Sequence, residues 1–181
     1  MKKSSFFGIL ILSLFITSCT DDDAIDVASI RIAPPPINTE SNFQLDRTPY
    51  SFTAGVGNQV VVNSRTGYQL GLVGEGITAI NGVLEGTGEL VQLVLFNTEF
   101  RTDLSGTYTI ANTQGNLTAQ LAYALNYSSS TIDPDDKLIS GTIVVEELTN
   151  GELRMTISDG VTDQGMQDFT LFFEGGILYL N

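Results

Sequence analysis

Histidine and tryptophan are absent from these 181 residues, and cysteine occurs once, as Cys19. Without histidine no Ser-His-Asp triad, no Cys-His pair and no His-ligated zinc centre can be assembled. Mechanisms built on carboxylates, lysine or tyrosine remain open. A lone cysteine forms no internal disulfide, so the fold must be held by burial, which a domain of roughly 130 residues can supply unaided. Positive charge is scarce as well: eight Lys and Arg stand against 21 Asp and Glu, a net −13. Such a chain lacks the basic face that nucleic acids require and matches anionic head groups poorly. Acidic surfaces mainly aid solubility and keep copies apart. No segment carries apolar residues at helical spacing over a helical length. No catalytic motif and no cofactor fingerprint is present, so neither an enzyme nor a cofactor is predicted.

What is present begins with Met1-Lys2-Lys3, followed by an almost wholly apolar run from Phe6 to Ile16. A short positive head and an apolar stretch of this length are the plan of a secretory leader. The run is shorter than the roughly 20 residues a membrane-spanning helix needs. Ile16-Thr17-Ser18-Cys19 comes next and resembles the lipobox of bacterial lipoproteins. That resemblance implies a diacylglyceryl group on the Cys19 sulfur, cleavage before Cys19 and acylation of the freed amine. Two or more acyl chains anchor a protein stably. The bland alternative is an ordinary leader with a chance cysteine. Behind Cys19 stand Asp21, Asp22 and Asp23, which resemble the export signal of Bacteroidota lipoproteins; a solvated linker is the plain alternative. The expected address is the outer membrane, lipid-anchored at the cell surface, with the periplasmic leaflet as the other option. Cleavage would remove Lys2 and Lys3, leaving six positive against 21 negative side chains.

Three regions follow: a leader over 1–18, a lipidated acidic and Pro-rich tether over 19–48, and one all-β domain over 49–181. Within the tether, Pro34-Pro35-Pro36 favours extended polyproline II and cannot enter a central strand. Fully stretched, the arm would reach roughly 80 Å at about 3.3 Å per residue. Ile30 and Ile32 alternate with polar neighbours, so part of it could pair with the domain edge.

Downstream the apolar pattern has period two. Along 117–127, Leu117, Leu121, Tyr123, Leu125 and Tyr127 fall on one face, as a half-buried strand requires. Strands are also predicted over 50–53, 59–63, 68–72, 90–96, 106–111, 137–147, 152–158, 168–174 and 177–180. Between them lie turn signals: 63–67, Asn81-Gly82, Asn150-Gly151, Asp159-Gly160 and Gly175-Gly176. Such dipeptides supply the positive φ that tight hairpins need. The expected fold is an antiparallel meander of about eight to ten strands, closed as a β-sandwich or a lipocalin-like barrel.

Tyr68-x-Leu70-x-x-x-Gly74, Leu93-Val94-Leu95-Phe96, Leu104-Ser105-Gly106-Thr107-Tyr108, Ser140-Gly141-Thr142-Ile143 and the run from Phe172 to Tyr179 are similar to one kind of small Bacteroidota surface lipoprotein. The resemblance implies a meandering β domain on a lipid tether and brings no catalytic residues with it. Asp133-Pro134-Asp135-Asp136 could offer oxygens to calcium, but its spacing does not match an EF-hand, and a solvated turn explains it. Glu146, Glu147 and Glu152 flank a hairpin, where acids are ordinarily just wet. The expected role is a binding or structural module displayed to a protein or glycan. A lipocalin-like carrier of a small apolar ligand is the first alternative, and a carboxylate-only hydrolase the second.

Overall fold

The computed structural model describes residues 33–62, 65–80, 82–97, 103–130 and 133–180. The period-two pattern becomes thirteen strands, with no helix among the described residues. They are β1 (Asn42–Leu45), β2 (Thr48–Ser51), β3 (Ala54–Val62), β4 (Arg65–Val73), β5 (Ile77–Ile80), β6 (Val83–Phe96) and β7 (Gly106–Ile110). The rest are β8 (Thr118–Ser128), β9 (Asp136–Ser140), β10 (Thr142–Glu147), β11 (Leu153–Thr162), β12 (Asp168–Gly175) and β13 (Ile177–Tyr179). Burial follows the alternation: on β12, Phe169, Leu171 and Phe173 are buried, while Thr170, Phe172 and Glu174 between them are half-buried.

The chain is all-β, and its strands follow the order β13-β3-β4-β6-β8-β7-β10-β11-β12-β1-β2, with β5 beside β6 and β9 joining β11 to β8. The all-β fold is as expected, with thirteen strands where about eight to ten were expected. Two pairs are parallel, β13 with β3 and β7 with β8. Parallel neighbours cannot be joined by a tight turn, so no local signal announces them. The extra strands have separate causes. β1 lies in the stretch assigned to the tether, β5 is a short partner of the first part of β6, and 137–147 is split at Gly141. At Gly141 φ is +133°, and a Cβ there would lie 2.9 Å from the Cα of Gly160.

The sheet folds over on itself around an aromatic centre. The ring of Phe43 on β1 lies 4.9 Å from Tyr50, 5.6 Å from Phe52 and from Phe169, and 6.1 Å from Tyr123 on β8. Leu70, Leu72, Leu93, Leu95, Leu121, Ile143 and Met155 fill the space around these rings and are fully buried. Phe43 is itself fully buried, and β1 pairs with β12 on one side and β2 on the other. The β structure therefore starts seven residues before the expected boundary at 49. Burying a Phe side chain is worth about 2–3 kcal/mol, which a short alternating segment inside a polar arm conceals.

A second, smaller cluster lies on the opposite face of β3, β4 and β6, where Ala54, Val73 and Leu90 meet Ile77 of β5. Leu84 and Tyr127 pack against it. Tyr127 was expected to share a face with Leu121, Tyr123 and Leu125, and it does not. Leu90 pairs with Ala124 and Gly88 with Tyr127, so β8 has one residue more than β6 between these pairs. That bulge inverts the phase of β8 and carries Tyr127 to the second face.

The last part of the proline arm lies on the domain. Ile37 bridges Gly175, the Asn38 N–H donates to the Glu174 carbonyl at 2.7 Å, and the Gly176 N–H donates to the Pro36 carbonyl at 3.3 Å. A Cβ on Gly175 would lie 2.7 Å from Ile37, and one on Gly176 would collide with Pro35. Gly175-Gly176 is thus not a hairpin turn. Its two glycines let another backbone cross closely, and β13 continues across to β3 instead of folding back on β12.

Candidate binding site

Ile16, Thr17, Ser18, Cys19, Asp21, Asp22 and Asp23 lie outside the described residues, as do Ile30 and Ile32. Among the described acids, Asp46, Asp103, Asp135, Asp136, Glu147 and Asp159 accept backbone N–H groups. Asp135 accepts from the Leu125 N–H at 2.6 Å, and Asp136 accepts from the N–H groups of Lys137 and Gln164 at 2.8 and 2.9 Å. The Leu125 bond ties this stretch to β8, and the Gln164 bond ties it to the loop after β11. Among the described residues no group of three His, Cys, Asp or Glu side chains is placed to hold a metal ion. Burial, and then the nearby carboxylates of Asp136 and Asp135, push the Tyr123 phenol up to about 12.

Glu146, Arg154 and Glu174 sit side by side on β10, β11 and β12. The Arg154 guanidinium reaches Glu174 at 2.7 Å and Glu146 at 3.1 Å. The hydrogen bond from Arg154, helped by one from the Asn38 amide, holds the Glu174 carboxyl below its ordinary value. Glu147 accepts from the Leu104 N–H at 3.0 Å, and its own N–H donates to the Ser105 hydroxyl at 2.9 Å. The Tyr108 hydroxyl donates back to the Leu104 carbonyl at 2.9 Å. The Leu104–Tyr108 motif is therefore a latch between β7 and the end of β10.

The polar groups that converge are amides. Asn58 on β3 and Gln69 on β4 are register partners, and Gln92 on β6 is the partner of Gly71, two residues beyond Gln69. Residues paired across a ladder share a face, so all three point to the second face of the sheet. There they line a pocket with Val56, Gly71, Leu84, Tyr127 and Ser129. Its volume is about 100 Å³. The three amides are half-buried, and no hydrogen bond joins any of their side chains to another group among the described residues. Gly71 keeps the floor open, since a Cβ there would lie 3.1 Å from Val56 and 3.9 Å from Leu84. Tyr127, brought to this face by the bulge, donates its hydroxyl to the Leu84 carbonyl at 3.1 Å and holds the β5–β6 hairpin over one side. Burial pushes the Tyr127 phenol up, so it remains a neutral donor. No residue lining the pocket is ionised at neutral pH.

Sequence reasoning passed over these amides because each lies in a different strand. Only the alternation of Gln69 with Tyr68 and Leu70, and of Gln92 with Val91 and Leu93, marks them as facing away from the core.

Two further cavities flank the sheet. A polar one of about 310 Å³ lies over β1, β11 and β12, beside Gln44, Arg47, Asp159 and Asp168. An apolar one of about 280 Å³ lies between Ala33 and Pro34 of the arm, Val56 and Val73 of the sheet, and Ile77 and Ile80 of β5. No family model, no curated protein and no solved structure matches the chain.

Proposed function

We propose that this chain is a lipoprotein held at the outer membrane through acyl groups on Cys19 and displayed at the cell surface, where its acidic β domain serves as a binding module. The observation that carries the reading is the lipobox-like Ile16–Cys19, set 16 residues before Pro35, where the arm is clasped to the domain. A tether ending there spans at most about 50 Å at roughly 3.3 Å per residue. That length holds the domain near a membrane surface yet clear of the head groups. The filled aromatic core supports binding on an outer face over carriage inside the fold.

The test is metabolic labelling with a radioactive or clickable fatty acid. The natural sequence takes up label and Cys19→Ser does not, releasing the domain in soluble form. Equal labelling of both would remove the anchor from the proposal. Replacing Asp21, Asp22 and Asp23 together by Ala should lower digestion by protease added to intact cells at unchanged expression; unaltered digestion would count against surface export.

A carrier of a small apolar ligand is the second reading, and the apolar cavity beside Ala33 and Pro34 favours it. Native mass spectrometry of protein from its own cells separates the two, because a carrier arrives with a co-purifying small molecule.

A further inference from the structure

The structure assigns a ligand class to the pocket under the β5–β6 hairpin: we infer that Asn58, Gln69 and Gln92 bind a ring of a neutral saccharide. This inference rests on the reading of the domain as a binding module and names what it binds. Each primary amide offers donors and an acceptor at one planar end, and each sugar hydroxyl likewise both donates and accepts. Three amides from three adjacent strands therefore suit a ligand that carries several hydroxyls on neighbouring atoms. Val56, Leu84 and the Tyr127 ring supply apolar surface for the C–H face of the same ring.

Charge narrows the choice. The pocket holds no ionised group, and a chain of net −13 repels anionic sugars and phosphates at long range. A purely apolar ligand would strip water from three amides and leave them unpaired, at roughly 1–3 kcal/mol each. A peptide strand binds mainly through main-chain bonds to a free sheet edge. Here β4 and β6 have a neighbour on both sides and β13 covers β3 at Gly55–Gly57, so the pocket is approached mainly through side chains of the sheet face. At about 100 Å³ the pocket is small beside ordinary ligand sites of roughly 300–1,000 Å³, so it takes the edge of one ring, with the rest of the glycan outside.

The experiment uses the full-length protein in detergent, applied to an array that carries neutral oligosaccharides, acidic oligosaccharides and peptides. Retention on neutral oligosaccharides is expected, falling at least tenfold in the Gln69→Ala, Gln92→Ala double variant while thermal melting stays unchanged. Asn58→Ala, a single change on the same face, should weaken retention several-fold and serves if the double variant does not fold. Retention only on peptides or acidic sugars, no retention at all, or undiminished retention by the folded variants overturns the assignment. Failure here leaves the lipid anchor standing, because the array reads the domain without a membrane.

Discussion

Asp46 and Arg47, which join β1 to β2, both have positive φ, 45° and 73°, as a type I′ hairpin turn demands. Asp46 compensates through its carboxylate, which accepts from the Asp168 N–H at 3.0 Å and the Gln167 amide at 3.2 Å. Among the described residues no such bond involves the exposed Arg47 side chain. Left-handed backbone costs a non-glycine residue roughly 1–2 kcal/mol, so Arg47→Gly should stabilise the domain by about 1 kcal/mol, read as a rise in Tm of about 3 °C. Tyr123 gives a prediction in pH. Its phenol is pushed from 10.0 to about 12, so the folded state holds that proton more tightly than the unfolded chain does. Its contribution is complete below pH 10 and is lost as pH rises towards 12. Chemical denaturation from pH 9 to 12 should show stability falling across that window, and less steeply in Tyr123→Phe.

The informative element is the arm. Ile37, Asn38 and Pro35 are seated on the crossing at Gly175-Gly176, and Asn38 also bonds the Glu174 carboxylate at 3.4 Å. A side chain at 176 cannot share space with Pro35. Gly176→Val should lift the arm and speed protease cleavage within 33–40 severalfold, while the rest of the domain keeps its circular dichroism spectrum. Acid should loosen the same place. The Glu174 carboxyl is held below 4.5, so its pairing with Arg154 and Asn38 is fully present above that value and fades as pH falls through the lowered one. Cleavage of the arm should therefore rise as pH is taken down through the range below 4.5, a step that Glu174→Gln removes. The arm's proline run was legible in the sequence, and its seat was not. Gly175-Gly176 reads equally well as a turn, and only the approach of a segment more than a hundred residues away decides the matter.

For the whole molecule, the boundary of the domain is the feature on which sequence and structure differ most. Phe43 contacts four other rings at the centre of the core, and loss of a buried Phe alone costs about 3–5 kcal/mol out of a typical 5–15. A chain that begins at Pro49 also loses β1, and with it the strand that joins β12 to β2. Such a chain should lack a cooperative thermal transition and near-ultraviolet dichroism. One that begins at Ala33 should show both. A cooperative melt of the shorter chain would contradict the central place given to β1.

The sequence by itself determined the all-β class and the tight turn at Asn150-Gly151, where Gly151 has φ 81°, because alternation and turn chemistry are local. It also set the charge and, through the missing histidine, the chemistries out of reach. Tertiary structure decided the strand order, the two parallel pairings and the burial of Phe43, all of which depend on contacts between distant segments. One extra residue in β8 moved Tyr127 to the second face, and the register of three separate strands brought Asn58, Gln69 and Gln92 together. Register is a relation between strands, and no single stretch of chain contains it.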